Sequence, residues 1–454
     1  MRRNRLMMKV LATAGLGVML LIPLSMISGV VSERRARRDG VIAEIAESSV
    51  KRQKIVGPIL VVPWAREWTE SVTDNDGNPK LVTRQEFGVV RVPADDVKVE
   101  TSLQADVRRR GIYTAAVYTT RNVLRGTFKL SPKLGLGVRP TPYGWGIPSV
   151  VLGIGDPRGL KQQFNIEWDG TASPFRAGTG QIGLPAGVHA DVKVDAETGG
   201  AHRFEIAFAL NGMEGLDFVP VGSSSHVTVR SPWPHPSFVG KYLPETRSVG
   251  PRGFQATWIN SNLSTNSEAL VARCEANDCA ALESNVFGVN LIDPVDVYLK
   301  TERSTKYAFL FIAITFVLFF LYEVLQRLAI HPIQYSLVGV ALALFFLLLI
   351  ALAEHIAFVY AYLIAGAACI ALIGVYVRHV LASTQRALGF SGLLAALYGM
   401  LFVLLNSEDH ALLFGALLLF AFLAGTMYVT RRVDWYRIGE SVSTGGDEPQ
   451  GKVA

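Results

Sequence analysis

Five apolar blocks close the chain between Lys306 and Arg432, and short charged or turn-like segments separate them. Each block is about 20 residues long, the length that crosses a hydrocarbon core of roughly 30 Å as an α-helix. A water-soluble core does not need five consecutive blocks of this kind, so the pattern predicts a transmembrane bundle over residues 307–430. The predicted helices cover residues 307–325, 333–353, 357–377, 388–405 and 411–430.

A sixth apolar block covers residues 10–31 and follows a basic N-terminus, residues 1–9. It is long enough to span a membrane, and Pro23 is tolerated in a membrane helix. A cleaved signal peptide is the competing interpretation. Because the apolar part is long and no small-x-small site closes it, we interpret the block as an uncleaved anchor.

Residues 32–306 have the composition of a large soluble domain. Its start, with four arginines near Glu33 and apolar residues at Val41, Ile42 and Ile45, predicts an amphipathic helix beside the membrane. Beyond Ile55, short runs of β-branched and aromatic residues alternate with Gly/Pro turns, which predicts a β-rich, sandwich-like fold. The predicted strands begin at Phe87, Gly111, Val123, Ser149, Val188, Arg203, Ser225, Phe254 and Val286, and the predicted turns begin at Asp74, Gly155 and Trp233.

The charge balance does not indicate a nucleic-acid partner. The chain has 454 residues, of which 18% are charged, and a net charge of +6. Much of the Lys and Arg excess lies at membrane flanks, where it sets orientation. Basic patches with interleaved aromatic residues of the RNA-binding kind are missing from the sequence. We therefore predict a lipid bilayer as a partner, and no nucleic acid.

Basic and acidic segments alternate between the predicted helices. The basic ones contain Arg327, Arg378, Arg386 and Arg431, and the acidic ones contain Glu354, Glu408 and Asp409. By the positive-inside rule, both termini are cytoplasmic, including a partly disordered tail at 431–454, and residues 32–306 are extracytoplasmic. The arginines after Glu33 and the basic residues from Lys300 to Lys306 then lie outside. Long domains translocate largely regardless of charge, and these residues can contact lipid head groups.

Two of the three cysteines, Cys274 and Cys279, lie in the soluble segment, and Cys369 lies in an apolar block. In an oxidising compartment the first two predict a short-loop disulfide, with two free thiols as the alternative. A zinc site needs a second pair of ligands at suitable spacing, which the sequence does not offer. We interpret Cys369 as a small buried side chain.

Several strings, in order along nearly the whole chain, resemble the CreD family of bacterial inner-membrane proteins. They include KIVGPILVVPW from Lys54, WPHPSF from Trp233, HPIQYSLVG from His331, LLNSEDHALLFG from Leu404 and VDWY from Val433. The resemblance implies an inner-membrane location, a periplasmic soluble domain and a role in cell-envelope integrity and envelope stress. It implies no catalytic residues, and the Cys274–Cys279 segment is not part of the shared pattern.

Polar residues at the predicted exterior loops are the first candidates for a site. They are Glu354, His355, Glu408, Asp409 and His410. If the loops meet, these side chains can bind a divalent cation or relay protons. The alternative is that loop ends are polar because they face water.

Glu323 is a separate candidate because it lies inside an apolar block, where an ionisable residue suggests function. The alternative is that Glu323 reaches the interface or pairs with Arg327 at i,i+4.

The WPHPSF hexapeptide presents Trp233, His235 and Phe238 on a backbone that its prolines keep extended or turned. It predicts either a recognition loop or a turn that packs Trp233 into the sandwich.

Three classes of function remain. The first is a non-enzymatic protein that binds an envelope protein or a peptidoglycan-related component through its exterior domain. The second is a transporter or channel that uses polar residues of the bundle. The third is an envelope enzyme acting on lipid or peptidoglycan, which ranks last because neither GxSxG nor HExxH occurs. No catalytic, cofactor-binding or metal-binding residue is predicted.

Overall fold

The computed structural model describes residues 4–73, 79–137, 142–180, 182–274, 279–292, 297–326, 330–381, 383–407 and 411–431. It divides into two compact units, the helical unit of residues 1–39 and 295–454 and the β unit of residues 40–294. The helices are α1 (Asn4–Met19), α2 (Leu21–Ser48), α3 (Asn262–Thr265), α4 (Ser267–Ala272), α5 (Ala280–Glu283), α6 (Val297–Leu325), α7 (Pro332–Ala353), α8 (Phe358–Val380), α9 (Thr384–Asn406) and α10 (Ala411–Thr430).

Six helical segments of the described residues are long and apolar enough to cross a membrane, one near the N-terminus and five near the C-terminus. This confirms the predicted arrangement of one helix before and five after the soluble segment. The first span, Leu11–Glu47, runs through α1 and α2. The interruption between α1 and α2 at Leu20 has a local cause, because Pro23 has no N–H to donate to the Met19 carbonyl.

Aromatic side chains fill the core of the helical unit. The rings of Phe319 and Tyr335 lie 4.8 Å apart, and those of Phe345 and Tyr398 lie 4.6 Å apart. Half of the most hydrophobic stretch of α7 is buried inside the protein, whereas only 6% of the corresponding stretch of α10 is buried. Helix α6 is buried to the same extent as α7, so these two are the most enclosed spans, and α10 presents almost its whole surface outward, as a lipid-facing helix does.

The strands of the β unit form two sheets. They are β1 (Gln53–Thr73), β2 (Pro79–Pro93), β3 (Asp96–Arg110), β4 (Tyr113–Leu130), β5 (Gly144–Trp145), β6 (Ser149–Ile154), β7 (Asn165–Trp168), β8 (Thr171–Pro174), β9 (Arg176–Ala177), β10 (Gly187–Asp191), β11 (Gly200–Met213), β12 (Gly215–Val219), β13 (Ser224–Ser231), β14 (Pro236–Gly240), β15 (Thr246–Gly250), β16 (Gly253–Ser261) and β17 (Phe287–Leu291).

The first sheet has the order β14-β17-β12-β1-β6-β10-β9, with β2 and β5 also paired to β1. The second sheet has the order β15-β16-β13-β3-β4-β11-β7-β8. Their inner faces share one hydrophobic core, in which Trp258 of the second sheet packs against Phe287 of the first with ring centroids 5.3 Å apart. The predicted β-rich, sandwich-like domain is confirmed.

Several strands are much longer than predicted. The runs that begin at Gly111 and Val123 are joined in the single strand β4, and the 21-residue strand β1 matches none of the predicted runs. In β4, alternation continues through polar residues that the sequence pattern treats as breaks, because one face of this strand is solvated. The run from Val188 is shorter than predicted, since β10 ends at Asp191. The predicted turn at Asp74 lies outside the described residues.

Candidate functional site

The exterior-loop candidates are only partly described. Glu354 follows α7, and its carboxylate lies 3.8 Å from Arg34 Nε, with the Glu354 side chain 10% exposed. His355 is exposed. Glu408, Asp409 and His410 lie outside the described residues. In the part of the chain that the structure describes, no three His, Cys, Asp or Glu side chains are grouped so that they could hold a metal ion.

The basic residues expected outside the membrane have acidic neighbours within the helical unit. Arg35 Nη1 donates to Glu302 Oε2 at 2.7 Å, and Lys306 Nζ lies 3.0 Å from Glu302 Oε1. With the contact between Arg34 and Glu354, these pairs reduce the local positive charge in the middle of α2 and near the start of α6. The sequence pattern shows the arginines but not these partners, which lie far away along the chain.

Glu323 is buried between α6 and α7. One carboxylate oxygen accepts a hydrogen bond from Tyr335 Oη at 2.7 Å, and the other accepts from the Ile330 backbone N–H at 3.1 Å. Arg327, the partner considered from the sequence, lies outside the described residues. The carboxylate joins the end of α6 to the start of α7, and buried polar groups of this kind are stable only when hydrogen-bonded.

A second buried polar chain crosses the bundle and was not singled out from the sequence. Tyr362 Oη donates to the Tyr398 carbonyl at 2.7 Å, and Tyr398 Oη donates to Cys369 Sγ at 3.2 Å. Cys369 is buried as expected, and its thiol donates to the Ala341 carbonyl at 3.4 Å. Tyrosines within apolar blocks were the available signal. The arrangement satisfies polar groups in a membrane interior, where each unsatisfied group costs several kcal/mol.

The WPHPSF segment contributes mainly to packing. Trp233 is half-buried against the sandwich core, and its Nε1 donates to the Ile292 carbonyl at 3.1 Å. Phe238 lies in edge strand β14 and packs edge-on against Trp258 at 5.7 Å. His235 is exposed. The expected turn is thus confined to the first half of the segment, because Pro236 starts a strand at the sheet edge, where proline is tolerated.

Cys274 and Cys279 are joined by a disulfide. Both are buried in a small cluster with Val56, Ile59 and Val271, on the face of the first sheet that points away from the main core. Helices α4 and α5 flank the bridge along the chain. Since this cluster covers the second face of β1, the residues from Ile55 to Val62 are buried without alternation.

A polar clamp at the start of β1 was missed by sequence reasoning. Arg52 donates through Nε and Nη2 to both carboxylate oxygens of Asp217, at 2.6 Å each, and through Nη1 to Asn290 Oδ1. The hydrogen bonds that Arg52 donates to Asp217 raise the pKa of Arg52. Such a bidentate pair fixes the geometry between strands. Arg52 is separated from each of its two partners by more than 160 residues, so no local pattern indicates the clamp.

Two strongly exposed apolar side chains of the β unit lie on a two-stranded extension, which we call the β1–β2 ribbon (residues 63–73 and 79–89). Along one face, Trp64 contacts Tyr143 edge-on at 5.3 Å, and the Arg66 guanidinium lies 4.3 Å from the Trp68 ring centre. On the other face, Phe87 is 73% exposed and Leu81 is 75% exposed. Phe87 and Leu81 lie six residues apart along β2, about 20 Å at the rise of a strand, so this face presents two separate apolar side chains to solvent.

The comparisons with known proteins agree with this architecture. The family model of the inner membrane protein CreD matches residues 5–436. The chain belongs to the CreD family. It is similar to the inner membrane protein CreD of Escherichia coli (strain K12), with 35% identity over 436 residues, which cover 96% of this chain and 95% of that protein.

As a member of the CreD family, the chain is a multi-pass protein of the inner membrane. Among solved structures, an M1 zinc metallopeptidase of Deinococcus radiodurans is similar over 37% of this chain and 38% of its own, at 8% identity and a TM-score of 0.17. That similarity is too low to carry an argument about fold or function.

Proposed function

We propose that this CreD-family protein supports cell-envelope integrity as a non-enzymatic binding protein, whose β unit holds an envelope component through the β1–β2 ribbon. The observation that supports this proposal is the exposure of Phe87 and Leu81 on one face of the ribbon, whose opposite face carries Trp64 and Trp68. Aromatic anchors beside charged groups are typical of binding surfaces.

The proposal places the β unit in the periplasm and both termini in the cytoplasm. An even number of spans puts the termini on one side. Arg378 and Arg386 flank the same inter-helix segment, so the positive-inside rule assigns that segment to the cytoplasm. The pairing of Arg35 and Lys306 with Glu302 supports the assignment, because it lowers the positive charge on the opposite side.

The contacts of Glu323 favour binding over transport. A carboxylate in a transport pathway needs access to water, whereas Glu323 is 5% exposed and is held by Tyr335 and the Ile330 N–H. These contacts match a structural role at the junction of α6 and α7.

The experiment places a photo-crosslinking phenylalanine analogue at position 87 of the full-length protein, in cells that lack their own copy. We expect a discrete crosslinked product, identified by mass spectrometry as a periplasmic or envelope component. The matched control carries the analogue at Leu263, which is 99% exposed on the same unit but outside the ribbon. Leu263 should yield no such product.

A second measurement tests whether the exposed side chains of the ribbon are needed for envelope integrity. The double variant F87S/L81S should fold and reach the membrane, because both side chains are exposed, but should restore less survival in bile salt than the wild type. Full restoration by this variant, together with equal crosslinking from positions 87 and 263, would refute the proposal.

A further inference from the structure

An open groove of about 550 Å³ lies on the outward face of the second sheet of the β unit, away from the β1–β2 ribbon. Strands β3, β13 and β16 form its floor, and the turn between β15 and β16 forms its rim. Its polar lining comprises Ser102, Gln104, Arg230, Ser248, Arg252 and Gln255. The volume is in the range that small-molecule sites occupy.

Strand register builds a continuous polar row across this face. Ser248 lies opposite Gln255, Gln255 opposite Arg230, Arg230 opposite Ser102, and Ser102 opposite Arg121. All five side chains are exposed. Adjacent strands are about 4.8 Å apart, so Ser102 has an arginine on the neighbouring strand at each side.

The row itself contains two arginines and no carboxylate, so it is positively charged. Arg230 Nε donates to the neutral Gln255 side chain at 3.1 Å. Among the described residues, no carboxylate lies within ion-pair distance of Arg121, Arg230 or Arg252. Glu100, on the same face of β3, is paired with Lys98 at 3.0 Å and interacts with Arg230 only through a longer-range electrostatic attraction.

The rim of the groove is held in place by close backbone contact. Gly253 has φ +122°, and a Cβ added there would lie 2.1 Å from the Ser231 carbonyl oxygen. Only glycine fits this approach. The turn that carries Arg252 is therefore seated directly against the end of β13, and the groove is a fixed feature of the sheet.

We infer that this groove binds a small polyhydroxylated ligand that carries an oxyanion, either phosphate or carboxylate. The oxyanion lies over Ser102 and accepts a hydrogen bond from its hydroxyl. It also accepts guanidinium N–H hydrogen bonds from Arg230 and from Arg121, which lies beside the groove on the neighbouring strand. Arginine is suited to this role because its planar donors match both anions. The hydroxyl-bearing body lies along Gln255 and Ser248, with Arg252 at its outer edge.

Calorimetric titration of the purified full-length protein in nanodiscs tests the inference. The probes are glucose 1-phosphate, glucuronate and neutral glucose. We expect saturable binding of at least one of the two anionic sugars, weakened by added NaCl because exposed charges are screened, and no binding of glucose. The two anionic probes distinguish a phosphate site from a carboxylate site.

Matched arginine variants identify the site. R230Q should weaken binding about tenfold, since a charge-assisted hydrogen bond contributes on the order of 1.4 kcal/mol. R125Q changes the net charge equally on the same sheet face, but Arg125 is already paired with Glu205 at 2.8 Å, so its affinity should stay within about twofold of wild type. If R230Q does not fold, R252Q at the exposed rim of the groove is titrated in its place.

Three results would overturn the inference: no saturable binding of either anionic sugar, equal binding of glucose, or an equal loss of affinity in R125Q and R230Q. None of them bears on the ribbon, because the titration uses purified protein without an envelope partner. The groove and the proposed function therefore fail or stand separately.

Discussion

At the scale of single residues, Asp156 shows how a buried charge of the β unit is stabilised. One of its partners comes from the adjacent tight turn and the other from a distant part of the chain. Asp156 caps a short 3-10 turn (Pro157–Gly159) and accepts hydrogen bonds from Arg158 and from the Lys51 backbone N–H. The predicted turn at Gly155 is found here. The Arg158 hydrogen bond is the largest cause that lowers the pKa of Asp156 to about 2.

The lowered pKa of Asp156 predicts a specific acid sensitivity. The folded value of about 2 lies below the ordinary 3.8, so the stabilisation is complete above about pH 5 and is lost as the pH falls from about 4 towards 2. D156N should therefore lower the free energy of unfolding by about 2 kcal/mol at neutral pH. It should also flatten the decline of stability between pH 5 and pH 2.

Denaturant unfolding of the full-length protein, followed by tryptophan fluorescence at a series of pH values, measures this effect. D106N is the control, because Asp106 is exposed and accepts only a local hydrogen bond from the Val107 N–H. A D156N protein that loses stability with acid as steeply as wild type would contradict the assignment.

At the scale of elements, β3 shows what the sequence pattern missed, since no strand was predicted over residues 96–110. In β3, buried and exposed positions alternate from Val97 to Leu103, as a half-buried strand requires. Beyond Leu103 the strand continues to Arg110 only because β4 pairs with it. The extension is therefore decided by pairing, which a single-strand pattern does not contain.

Close strand packing makes one glycine of β4 indispensable. A Cβ at Gly126 would lie 1.9 Å from the Asp96 carbonyl oxygen and 2.9 Å from the Phe204 ring. G126A should lower the free energy of unfolding by about 2–3 kcal/mol, because backbone and ring must both move. G250A is the control: its Cβ would meet nothing within 4 Å, so the change should stay within about 0.5 kcal/mol.

Both variants are compared by thermal unfolding of the purified protein. Equal stability of G126A and wild type would show that β3 and β4 are not packed as described. A large loss in G250A would show that the rim of the groove is more tightly packed than its open surroundings indicate.

At the scale of the whole molecule, the testable property is orientation. In a C369A background, whose other two cysteines form the disulfide, single thiols are introduced at Leu263 in the β unit and at Ser443 in the tail. A membrane-impermeant maleimide should label L263C in intact spheroplasts and S443C only after lysis. Labelling in the reverse order would invert the proposed topology.

The sequence by itself determined the number of membrane helices and the β-rich character of the inserted segment. Both follow from local hydrophobic patterns, whose length or period is set by the bilayer and by the pleat of a strand. The tertiary structure alone decided which polar groups meet. Glu323 joins Tyr335, Arg52 joins Asp217, and Arg230, Ser102 and Arg121 line up in one row.

These contacts arise from helix packing and from strand register between residues that lie far apart along the chain. A pattern read over a few neighbouring residues contains no information about them. For that reason the long apolar blocks were identified correctly, while the ribbon, the clamp at Arg52 and the groove at Arg230 emerged only from the folded chain.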